Sequence, residues 1–273
     1  MYKRILITGL VAFLNACGGG SDGAAPSVSQ VQAQSLKYGQ TASIYVVGKY
    51  LRGDMVASTG TCTNPAFSSK STPDAAILNC KVTATGDLPI SIKAANGDVL
   101  FATVLNVAQP EVTLTTSKGV IVVELYPNVA PTTVNNFLGY VSAGYYASTL
   151  FHRAIPGFVI QGGGYTTGGI KRSGQGAPIA LESNKGLSNT GGMVAMARTS
   201  DPNSATSEFF VNLVDNLPLD YQNASSPGYA VFGKVVSGLG VVDAISEMPT
   251  GVYGELSDVP LTDVVITLAV QSK

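Results

Sequence analysis

The chain contains one histidine, His152, and Arg153 follows it within a run that is otherwise apolar residues and glycines. A single histidine cannot supply the several His and Cys ligands of an all-protein zinc site, so metal catalysis is not expected. A serine hydrolase built on His152 would need a nucleophile elbow between a strand and a helix, and the strand-rich part of the chain has none. Arg153 is a different kind of candidate, because a guanidinium is a permanent cation with a planar fork of donors. Taken singly, Arg153 reads as a solvated charge, and Phe158, Val159 and Phe210 read as core. Strand alternation adds only that Arg153 shares a face with Ile155, Val159 with Gln161, and Glu208 with Phe210.

Composition narrows the partners. Charged residues make up 12% of the 273 residues and nearly cancel at a net charge of -1, against roughly 25% in an average globular protein. No basic patch points to nucleic acid. The length favours two domains behind any targeting segment. Lys3 and Arg4 precede an apolar stretch from Ile5 to Leu14, which is too short for a spanning helix of about 20 residues and reads as a signal peptide over residues 1–16. Leu14-Asn15-Ala16-Cys17 resembles a bacterial lipobox, with Asn15 atypical for its position. That resemblance implies acylation of Cys17, a stable membrane anchor, and a Gly/Ser-rich tether over residues 17–27. Gly18 stands where an aspartate would imply inner-membrane retention, so a cell-envelope address on the periplasmic side of the outer membrane is expected. The remaining cysteines, Cys62 and Cys80, suit a structural disulfide in an oxidising compartment, and no CxxC is present.

The elements that must position these residues are mainly β. Residues 28–109 hold short β-rich runs at Ala42–Val47, Ile77–Leu78, Lys81–Thr85, Ile90–Ile92 and Val99–Leu105, broken at Thr85-Gly-Asp87 and Asn96-Gly-Asp98, which predicts a small Ig-like β-sandwich. Residues 110–273 begin with a hairpin, Val112–Thr116 and Val120–Leu125. Six further strands are expected at 150–155, 158–161, 192–197, 208–213, 229–236 and 263–270. A helix starting near Pro131 carries Val134, Phe137, Leu138 and Val141 on one stripe, and a second lies near Gly240–Met248. Eight antiparallel strands with two covering helices fit a closed barrel, which leaves no sheet edge.

Five ordered blocks of the second domain resemble the cyclophilin family of peptidyl-prolyl cis/trans isomerases, in its bacterial form. They are Val129-Ala-Pro-Thr-Thr-Val-Asn-Asn-Phe137, Phe151-His-Arg-Ala-Ile-Pro-Gly-Phe-Val-Ile-Gln-Gly-Gly163, Met196-Ala-Arg-Thr-Ser-Asp-Pro-Asn-Ser-Ala-Thr-Ser-Glu-Phe-Phe210, Tyr229-Ala-Val-Phe-Gly-Lys-Val235 and Gly240-Val-Val-Asp243. The resemblance implies rotation about Xaa-Pro bonds with no cofactor, on proline-containing polypeptide clients, by a monomer. It implies Arg153 as the catalytic donor and Phe158, Val159, Phe210 and Leu219 as the proline pocket. Ile155 and Tyr229 would flank that pocket. Gln161 and the backbone near Ala197 and Arg198 would hold the substrate chain, with His152 as a structural neighbour and Glu208 beside Arg153. Three departures stand out. Glu208 replaces the family's usual glutamine, Val159 an often-found methionine, and Pro218 the rim tryptophan of animal members, which implies weak binding of cyclosporin. The rival reading is a non-catalytic chaperone or surface binding module on the same fold, against which Arg153 argues.

Overall fold

A computed structural model describes residues 24–51 and 53–273, which form two compact units divided between Val107 and Ala108. The basic start, the apolar run, Cys17 and the tether as far as residue 23 lie outside the described residues.

The first unit has seven strands: β1 (Ser27–Ala33), β2 (Thr41–Lys49), β3 (Val56–Ser58), β4 (Cys62–Phe67), β5 (Ala75–Val82), β6 (Gly86–Lys93) and β7 (Val99–Val107). They form two sheets, ordered β1-β2-β5-β4 and β3-β6-β7. Strict alternation builds the core between them. Ile44 and Val46 of β2 and Leu78 and Val82 of β5 are fully buried, as are Leu88, Ile90 and Ile92 of β6. The run 77–78 and the start of the run 81–85 prove to be one strand, β5, which ends at Val82, so residues 83–85 fall outside it. Asn79, the polar residue that divides them in the sequence, is an outward position of the pleat and accepts a hydrogen bond from Ser43 Oγ at 2.8 Å. The turn at 96–98 closes with the Asp98 C=O accepting from the Ala94 N–H. Cys62 and Cys80 are bonded, with Cα atoms 5.3 Å apart, and join the neighbouring strands β4 and β5 within one sheet.

The second unit contains β8 (Glu111–Thr116), β9 (Gly119–Leu125), α1 (Pro131–Ser142), β10 (Thr149–Ile155), β11 (Val159–Thr166), β12 (Ile170–Lys171), β13 (Met193–Met196), β14 (Phe209–Asn212), β15 (Val231–Ser237), α2 (Leu239–Ser246), β16 (Thr250–Tyr253), β17 (Leu256–Pro260) and β18 (Val265–Gln271). The sheet order β10-β18-β8-β9-β15-β13-β14-β11 closes on itself through β10–β11, which makes an eight-stranded antiparallel barrel with β12 appended to β11. The two short strands β16 and β17 form a separate hairpin, and their Thr250-Gly-Val-Tyr and Leu-Ser-Asp-Val-Pro260 text carries no clean alternation.

Inside the second unit an aromatic cluster fills the core. Phe137 of α1 has ring centroids 5.2, 5.5 and 5.1 Å from Tyr146, Phe209 and Phe232. Helix α1 starts with Pro131 at its first turn and has no side-chain cap from its N-cap residue, Ala130. The carboxylate of Glu182, fifty residues away, takes that place: it accepts from the N–H groups of Thr132 and Thr133 and from Thr133 Oγ1 at 3.1, 2.8 and 2.7 Å. A buried anion at a helix N-terminus satisfies orphan donors and meets the positive end of the dipole.

Candidate active site

The site grows from one hairpin. Ile155-Pro156-Gly157-Phe158 turns the chain, with Gly157 at φ +68° and the Phe158 N–H donating to the Ile155 C=O at 3.1 Å. Proline and then glycine at the two central positions are what a type II turn requires. The turn sets Ile155 opposite Val159 and Arg153 opposite Gln161. Pairing continues across the barrel wall: Gln161 faces Phe210, Phe210 faces Ala195, and Ala195 faces Val231. Residues directly opposite in antiparallel strands share a face. Arg153, Gln161, Phe210, Ala195 and Val231 therefore form one row over five strands, while Phe209, one residue from Phe210, packs edge-on against Phe137 and Phe151 on the other face.

Above this row lies a cavity of about 170 Å³, lined by Arg153, Phe158, Val159, Gln161, Ala197, Arg198, Phe210, Leu219 and Tyr229. Its floor is an apolar cluster in which Val159, Met193, Ala195, Phe210 and Val231 are buried and Phe158, Leu187, Leu219 and Tyr229 pack against them. Buried amides brace the walls. Asn216 Nδ2 donates to the Phe158 C=O at 3.0 Å and to Asn212 Oδ1 at 2.9 Å. Asn212 Nδ2 donates to Asn189 Oδ1, and Asn189 Nδ2 donates to the Leu219 C=O at 3.1 Å. These asparagines were not among the sequence candidates. Asn212 was visible only as a polar residue interrupting an apolar strand.

Three candidates, Ile155, His152 and Glu208, stand outside the cavity. Ile155 shares the row's face but is not part of the lining. His152 is 4% exposed and lines a different cavity with Tyr165, whose ring centroid is 4.6 Å from its own. Pro218 is exposed in a single 3-10 turn, Leu217–Leu219, that presents its neighbour Leu219 to the cavity.

The expected position of Glu208 is corrected. Its carboxylate does not pair with Arg153. Oε2 lies 3.3 Å from His152 Nε2 and accepts from Gln161 Nε2 at 2.8 Å. Register explains the change, since β11 runs between β10 and the strand that Glu208 precedes. Gly164 leaves room for the carboxylate: a Cβ there would come within 2.4 Å of Glu208 Cδ. Burial by itself would raise the Glu208 pKa, but hydrogen bonds from His152 and Gln161, with the charges of His152 and Lys171, outweigh it and hold the carboxyl below its ordinary value. Because a carboxylate only accepts, it fixes the Gln161 amide with its nitrogen toward Glu208 and leaves the carbonyl oxygen as the group that can serve the cavity.

Arg153 has a different partner. Its Nε is 3.7 Å from Asp258 Oδ2, on β17, with side-chain exposures of 36% and 41%. Asp258 has φ +58° and also accepts from Ser257 Oγ at 3.1 Å. This partner cannot be read from spacing, because it lies on a hairpin whose text carries no alternation signal.

A closed barrel whose outer face offers a ring-sized apolar cavity with a guanidinium at its wall defines a binder of a compact apolar group beside a polarisable atom. The family model described as cyclophilin type peptidyl-prolyl cis-trans isomerase/CLD matches residues 111–270, and the chain belongs to that family. Among its relatives, a peptidyl-prolyl cis-trans isomerase of Acinetobacter baylyi is 49% identical over 168 residues, covering 61% of this chain and 87% of that protein. Peptidyl-prolyl cis-trans isomerase B of Escherichia coli is 48% identical over 157 residues, covering 57% and 95%. A crystal structure of a cyclophilin type isomerase from Cryptosporidium parvum matches 61% of this chain and 99% of its own length, at 25% identity and a TM-score of 0.50. The protein is a peptidyl-prolyl cis/trans isomerase.

Proposed function

We propose that the cavity seats the proline ring of an Xaa-Pro segment and that Arg153 stabilises the twisted state of the bond. The row from Arg153 to Val231 above the apolar floor is the observation that carries this reading. Amide rotation faces a barrier of about 18–20 kcal/mol because resonance must be broken. Turning tens of seconds into milliseconds requires about 5.5–7 kcal/mol of differential stabilisation. In the twisted state the prolyl nitrogen loses conjugation and regains a lone pair, so a cationic donor aimed at it binds that state better than either planar one. The dry floor of Val159, Phe210 and Leu219 holds the ring while the acyl side turns, and exclusion of water strengthens the hydrogen bond. No proton moves, which leaves His152 a structural role beside Glu208.

The same reading extends to the rest of the chain. It is exported, acylated at Cys17 and held on the periplasmic side of the outer membrane, where it acts as a monomer on exported clients. The lipobox-like Leu14–Cys17 supports this, as does the Cys62–Cys80 disulfide, which suits an oxidising compartment. The first unit is an Ig-like spacer. Its sheets, read in chain order, have the four-and-three arrangement of a seven-stranded immunoglobulin sandwich, although its disulfide joins neighbours in one sheet rather than the two sheets.

Two measurements test the reading. Residues 18–273 should accelerate isomerisation of a proline peptide, and mass spectrometry of the native protein should find acyl chains on Cys17. An inert protein would overturn the first part, and an unmodified Cys17 the second.

A further inference from the structure

Two arginines line the cavity, and their surroundings treat them differently. Arg153 has the Asp258 carboxylate at 3.7 Å. Arg198 has no carboxylate within ion-pair distance among the described residues. It is held instead by neutral groups: Nε donates to the Gly228 C=O at 2.9 Å, Nη1 donates to the Thr199 C=O at 2.8 Å, and Cζ lies 4.6 Å from the Tyr229 ring centroid. Tyr229 in turn packs edge-on against Phe210, with centroids 5.5 Å apart. The guanidinium is thus mounted on the cavity wall in a fixed orientation. Its charge is not cancelled.

Neighbouring acids are engaged elsewhere. Glu208 is taken by His152 and Gln161, Asp220 Oδ1 accepts from Asn189, and Asp201 Oδ1 accepts from the Asn203 N–H. None of the three lines the cavity. In a chain of net charge -1, a positioned and uncompensated cation at the substrate cavity selects for its opposite.

We propose that Arg198 is a specificity determinant that favours client segments carrying an aspartate or glutamate within two residues of the isomerised proline. The inference rests on the reading of this cavity as the isomerase site and adds the class of client. Three contacts have already ordered the fork, so an incoming carboxylate meets a donor that loses little rotamer freedom on pairing. Arg153 already has the Asp258 carboxylate within ion-pair distance and serves the prolyl nitrogen in this reading, which leaves Arg198 as the donor for a client carboxylate.

The test scans glutamate, glutamine and lysine through the two positions on each side of proline in short peptides. Here kcat/KM is measured at salt concentrations of about 20 mM and about 500 mM. At low salt, glutamate should exceed glutamine by about three- to tenfold in at least one position, with lysine lowest, and the ratio should fall below about twofold at high salt. Arg198→Gln should level the ranking whatever its absolute rate, and Arg198→Lys should keep the order with a smaller ratio. Equal rates for all wild-type peptides, a preference that ignores salt, or a preference that survives Arg198→Gln would each overturn the inference. The wild-type salt series decides by itself if the variants fail to fold. Absence of turnover with every peptide would instead remove the isomerase reading, and the inference with it.

Discussion

In residues 24–107 the two sheets end in open edges, at β1 and β4 in one and at β3 and β7 in the other. In residues 108–273 β10 pairs with β11, and the eight-stranded ring has no edge left to protect. The sandwich is small, its core is the seam between two sheets, and a covalent cross-link reinforces it. The barrel contains no cysteine and relies on closure and an aromatic interior. Closure also serves function. A ring of strands in fixed register holds five residues in a row on one face, so the guanidinium, the amide and the apolar floor keep their spacing.

If chemistry belongs to the barrel alone, its largest effect should come from Arg153. Arg153→Ala should lower kcat/KM by about ten- to a thousandfold with both melting transitions kept, and Arg153→Lys should restore little, because an ammonium lacks the planar fork. Full activity in both variants would end the assignment. Reduction of Cys62–Cys80 should cost the first unit about 3 kcal/mol and lower its melting transition, while isomerase activity stays at its starting value. A parallel fall in activity would show that the two units are not independent. Removal of the remote cap by Glu182→Ala should destabilise the second unit by about 1–2 kcal/mol and leave the first transition in place, as read by calorimetry. An unmoved second transition would show that the helix start does not depend on it.

The smallest effect is expected at Glu208, which touches Gln161 and His152 but not Arg153. Glu208→Gln should change kcat/KM by less than about tenfold, and a loss of about a hundredfold would give the carboxylate a direct role. The same residue shapes the acid limb of stability. Its folded pKa lies below the ordinary 4.5, so its stabilisation is complete above that value and is lost as pH falls through the lowered one. Glu208→Gln should therefore flatten the decline of the second unit's melting temperature below about pH 4.5. An acid limb identical to that of the wild type would refute this.

Sequence patterning was enough for the eight strands of the closed ring and the two helices, while most of the cavity lining came from the family resemblance. Alternation puts every second residue on one face, and Pro131 and Pro156-Gly157 mark a helix start and a turn by local backbone restriction alone. The five-block resemblance tied those pieces to one family. Which charges meet depends on how the strands pair and close. The family resemblance sets Glu208 beside Arg153, yet an intervening strand gives Glu208 to Gln161 and His152, and a hairpin with no readable alternation brings Asp258 to Arg153. The Glu182 cap and the Asn189–Asn212–Asn216 brace likewise join residues far apart in the chain. Such pairings are legible only in three dimensions, because a side chain's partner is set by the register and closure of strands it does not belong to, whereas its face is set by its own.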